Sequence, residues 1–63
     1  SIESQIQSLK LAAVSYKKLE DYSKAESSIL KALELKPEDN SLNHELAKIF
    51  LKIENIPIVL NYY

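Results

Sequence analysis

The chain repeats itself at a fixed interval. Shifted by 34 residues, it lays Ala13 on Ala47, Lys18 on Lys52 and Glu20 on Glu54, and it pairs Tyr16 with Phe50, Leu19 with Ile53, Ala25 with Val59 and Ile29 with Tyr63. A period of that length marks an architecture whose unit cannot bury its apolar face alone and stacks on its neighbours instead. The chain has 63 residues, so it holds one complete period and most of a second. A domain this small buries only about 60% of the surface its unfolded chain exposes. Stacking is therefore a requirement for a well-covered core.

Within each period the apolar spacing is helical. Ile2, Ile6, Leu9, Ala13 and Tyr16 follow steps of three and four, flanked by Ala12 and Leu19, which predicts a helix over 2–19. Ser1 is placed to cap it, and Glu3 suits the positive end of its dipole. Glu20-Asp21-Tyr22 forms the turn. A second helix is expected over 23–36, with Ala25, Ile29, Ala32 and Leu33 as its stripe and Tyr22 and Leu35 at its ends. Pro37 stops it, because proline lacks an N–H and disfavours helix in the residue before it. After Pro37-Glu38-Asp39-Asn40, where Asp39 or Asn40 can cap, a third helix is expected over 40–53 with Leu42, Leu46, Ala47, Phe50 and Ile53 on one face. Glu54-Asn55-Ile56 is a further turn. Pro57 suits the first position of a fourth helix, 57–63. No run alternates with period two, so no strand is expected.

These residues resemble the tetratricopeptide repeat family. Its pattern sets a bulky residue, Leu-Gly, Tyr, then Ala, an aromatic, Ala and Pro at fixed gaps. Here the first unit reads Leu9, Ala12-Ala13, Tyr16, Ala25, Ile29, Ala32, Pro37, and the second reads Asn43, Leu46-Ala47, Phe50, Val59, Tyr63. Leu9 and Asn43 depart from the opening aromatic, Ala13 and Ala47 from Gly, and Val59 from Ala. The resemblance covers nearly the whole chain. It implies an all-α fold of antiparallel helical hairpins in a right-handed α-solenoid, about one and a half to two repeats, that binds other proteins. The small residues have a physical role in such a hairpin: Ala12, Ala13, Ala25 and Ala32 let two helices approach closely while Tyr16, Ile29 and Leu33 fill the space between them.

Composition removes several functions. The chain has no Gly, so phosphate-cradling glycine loops and dinucleotide-binding turns are excluded. It has no Cys, which removes disulfides, zinc–thiolate sites and thiol nucleophiles and fits an intracellular protein. The formal charge is −1 with 8 basic residues, all Lys, so no nucleic-acid partner is expected. No apolar run approaches the ~20 residues of a membrane span, and no signal peptide is expected. His44 is the single histidine and has no ligand or nucleophile partner in the sequence, so it reads as a surface contact residue. Asp21, Glu38, Asp39 and Glu54 fall at helix ends, where capping accounts for them. The expectation is a binding module, not an enzyme, with no cofactor and no metal.

In the resembling family the first helix of each unit lines a concave groove. Carried onto this chain, that implies Gln7, Lys10, Val14, Lys17 and Lys18 on the first helix, and Ser41, His44, Lys48, Leu51 and Lys52 on the third. Five of the 8 lysines are in these two stripes and no acid is. The expected partner is an acidic protein or peptide segment. Some family members grip a terminal carboxylate with Lys and Asn; Lys10 matches, but Val14 and Glu45 stand where Asn is expected, so that clamp is not supported. A solvated lysine face is the competing reading. The competing functional reading is self-association through an incomplete fourth-helix face.

Overall fold

The computed structural model describes residues 1–54; the expected fourth helix over 57–63, with Val59 and the terminal Tyr62 and Tyr63, lies outside them. The described residues form three α-helices and no strand: α1 (Ile2–Lys18), α2 (Tyr22–Leu35) and α3 (Asn40–Glu54). Each boundary has a local cause. The Ser1 hydroxyl accepts from the Ser4 N–H at 3.2 Å and starts α1. The Asp21 carboxylate accepts from the Lys24 N–H at 3.3 Å and starts α2 at Tyr22, one residue earlier than expected. Of the two candidate caps for α3, Asp39 takes the role: its carboxylate accepts from the Leu42 N–H at 3.1 Å, and Asn40 is the first helical residue.

The end of α1 has a feature that the composition hides. Glu20 sits in the left-handed region at φ 62. Around it the Asp21 N–H donates to the Tyr16 carbonyl at 2.8 Å and the Glu20 N–H to the Lys17 carbonyl at 2.9 Å. This pair of bonds is the Schellman closure, which usually puts Gly at the left-handed position. A residue with a Cβ there carries about 1–2 kcal/mol of strain. The closure turns the chain within three residues and sends α2 back along α1.

The core is small residues at the helix crossings with large ones beside them. Ile6 and Ala13 of α1, Ala25, Ile29 and Ala32 of α2, and Leu42 and Ile49 of α3 are buried in one cluster. Leu9, Tyr16, Tyr22, Leu33 and Leu46 pack on its edge. Ile29, Leu42 and Ile49 have no exposed surface, and each contributes about 1.5–3 kcal/mol by leaving water. At the open end of the hairpin the Lys36 ammonium meets the Glu3 carboxylate at 3.1 Å, as expected where α2 ends beside the start of α1. At the closed end the Lys24 ammonium lies 5.9 Å from the centre of the Tyr16 ring.

Three parts of the expected core differ. On α3 the buried face is Leu42 and Ile49 with Leu46 half-buried, while Ala47, Phe50 and Ile53 are exposed. The cause is direction: α3 turns the Leu42–Ile49 side toward α2, and the face that matches the buried face of α1 points away from both described partners. On α1, Ile2 and Leu19, at the two ends of the helix, are mainly exposed. On α2, Ser28 is buried and Leu35 is not.

Candidate functional site

α3 packs on α2, and polar bridges join it to α1. The Lys10 ammonium donates to the Ser41 hydroxyl at 2.9 Å. The Lys17 ammonium meets the Glu45 carboxylate at 3.1 Å. Both links run in the same direction along the two helices, so α1 and α3 lie broadly parallel with their lysine stripes on neighbouring ground. All ten expected groove residues are exposed or half-buried: Lys10 and Lys17 half-buried, and Gln7, Val14, Lys18, Ser41, His44, Lys48, Leu51 and Lys52 exposed.

The stripes are not free of acid where they meet. Glu45 stands between them and also receives the Lys48 ammonium at 3.1 Å. Burial pushes its carboxyl up, but the hydrogen bonds from Lys48 and Lys17 and their two charges outweigh this and hold it below its ordinary value. Two of the five stripe lysines thus share one internal carboxylate, which offsets one of their two charges. Glu45 falls one turn from Ser41 on the α3 side that faces α1, a position a helical wheel of α3 marks only once α1 is known to lie there.

What remains open is a cavity of about 400 Å³ at the far end of the hairpin, lined by Val14, Lys17, Lys18, Glu20, Tyr22 and Lys52. Four of these are expected groove residues. The α1 C-terminus supplies Val14, Lys17 and Lys18, and the left-handed turn supplies Glu20. The start of α2 supplies Tyr22 and the end of α3 supplies Lys52. Lys18 and Lys52 make no ion pair with a described residue. The lining of the cavity thus combines the Lys18 and Lys52 ammonium groups with Val14, Tyr22 and one acid, Glu20. Gln7, Lys10, Ser41, His44, Lys48 and Leu51 do not line it.

Among the described residues no three His, Cys, Asp or Glu are grouped to hold a metal ion, and no helix is long and apolar enough to cross a membrane. No family model, curated protein or solved structure matches this chain.

Proposed function

We propose that the chain is a tetratricopeptide-type unit of an α-solenoid whose role is to bind an acidic segment of another protein, with no catalysis of its own. The 34-residue register, the family-length gaps and the three capped helices support the architecture. The cavity that gathers Val14, Lys17, Lys18 and Lys52 carries the binding reading. Each exposed charge pair adds only about 0–1 kcal/mol, so affinity is modest and selectivity comes from several charges acting together. Binding weakens as salt shortens the Debye length below about 10 Å. The test is a panel of equal-length peptides of graded charge, measured against the wild-type chain and the Lys18→Glu/Lys52→Glu variant, which leaves the Lys17–Glu45 pair in place. Acidic peptides are expected to bind best and to lose that advantage in the variant. Equal binding of acidic and basic peptides would reduce the cavity to a solvated lysine face.

A second reading rests on a separate observation. Phe50, Leu51 and Ile53 together leave a large apolar area of α3 exposed, which suits association with a copy of the chain. Sedimentation at several concentrations separates the two, since only self-association changes mass with dilution.

A further inference from the structure

The turn between α1 and α2 puts an acid where the backbone asks for Gly. Glu20 holds φ 62, inside the closure made by the Glu20 and Asp21 N–H groups on the Lys17 and Tyr16 carbonyls. Those bonds are all main chain, so they account for the conformation and not for the side chain. Glu20 is exposed, and its carboxylate makes no ion pair with a described residue. It lines the cavity of about 400 Å³ together with Val14, Lys17, Lys18, Tyr22 and Lys52. Residues held in sparsely populated backbone conformations cluster at ligand clamps and switch regions. The lining has two chemical sides. α1 and α3 bring the cations: Lys17 is taken up by Glu45, while Lys18 and Lys52 have no ion pair with a described residue. The turn and the start of α2 bring Glu20 and Tyr22, an acid and an aromatic two residues apart, which together suit an ammonium or guanidinium group. A uniformly acidic segment satisfies Lys18 and Lys52 but sets a like charge against Glu20, and like-charge juxtaposition counts against a partner. A segment with one basic group among its acids matches all three charges.

We propose that Glu20 is the specificity-determining residue of this cavity: among acidic segments it selects those in which one Lys or Arg side chain interrupts the acids. The acids meet Lys18 and Lys52, and the base meets Glu20 beside Tyr22. This rests on the acidic-segment reading above and adds that the order of the charges matters as well as their sum. Exposed pairs are individually weak, so the discrimination is about two- to fivefold in affinity.

The probes are a peptide of Glu and Ser, its relatives of equal length in which one Ser at a time becomes Lys, and a peptide of Ser alone as the baseline. Affinities are measured for the full wild-type chain, for Glu20→Gln, which keeps the side-chain shape, and for Glu20→Gly, which also frees the backbone. Circular dichroism checks that each keeps its helicity. At least one Lys relative is expected to bind the wild-type chain about two- to fivefold more tightly than the Glu/Ser parent, and to lose that advantage in both variants. A parent that binds the wild-type chain more tightly than every Lys relative would overturn the inference and leave the acidic-segment reading standing. A Lys advantage that survives in Glu20→Gln would give the base to another residue and overturn the role of Glu20. An equal gain for every peptide in Glu20→Gln would make Glu20 a local counter-charge to the lysines, with no part in selection. Binding of the Glu/Ser parent no tighter than that of the Ser baseline would remove the acidic-segment reading itself and this inference with it.

Discussion

Replacing Ala13 by Leu tests the close approach of α1 and α2 directly. Ala13 has no exposed surface and lies in one cluster with Ala25 and Ile29. A Leu side chain there must push the helices apart or take a strained rotamer, which destabilises by about 1–3 kcal/mol. For 63 residues the whole stability is on the order of 3–9 kcal/mol, so the variant removes a large share. At about 4–8 °C per kcal/mol for a domain of this size, the melting temperature falls by roughly 5–20 °C. The control is Ser15→Leu, two residues along the same helix on the exposed edge. It adds the same side chain and improves helix propensity slightly, so its expected effect is within about 0.5 kcal/mol of zero. Far-UV circular dichroism melts, repeated in urea with the m-value free, measure both. If Ala13→Leu melts with Ser15→Leu, Ala13 is not at a packed crossing and the hairpin geometry is wrong.

The remaining predictions address turns, charges and the open edge. Glu20→Gly relieves the left-handed strain of about 1–2 kcal/mol, offset by about 0.4–1 kcal/mol of added unfolded-state entropy, so the unfolding free energy from urea titration should rise by about 0–1.6 kcal/mol; a loss of stability would refute the closure. The Glu45 carboxyl is held low in the folded state, so its stabilisation is present above the unfolded carboxylate value of about 4.3 and disappears as pH falls through the folded value; Glu45→Gln should lower stability by about 1 kcal/mol at neutral pH and flatten the acid limb of a stability-versus-pH profile. Glu3→Gln breaks the Lys36 pair, whose two side chains are mostly exposed, and should leave the melting curve unchanged. Phe50→Ser, at an exposed site, should abolish any concentration-dependent mass seen by sedimentation if copies associate through α3.

The helices were legible because their signals are local. Pro37, Asp39 and the stripe from Ile6 to Tyr16 set three helices to within a residue or so of the observed ends. What was not legible depends on which helix lies beside which. Periodicity shows that α3 has apolar residues on more than one side, yet only the packing on α2 tells that Ile49 is buried and Phe50 is not. Glu45 reads in the sequence only as a residue standing where a clamp Asn is expected, until α1 brings Lys17 to it. The turn at Glu20 was legible but its left-handed conformation was not: without Gly the chain carries no compositional sign of a left-handed residue, and the Schellman bonds hold it there.

The bridges from α1 to α3 also have a mechanical meaning. Lys10 with Ser41 and Lys17 with Glu45 tie the two parallel helices side to side at separate heights, while the apolar cluster joins all three through α2. Of these links only the Lys17–Glu45 pair joins opposite charges, so it loosens with added salt while the apolar cluster does not. The placement of α3 beside α1 therefore rests on an apolar pivot through α2 and on one ionic brace. A longer run of such units would behave as a spring whose resting curvature follows ionic strength.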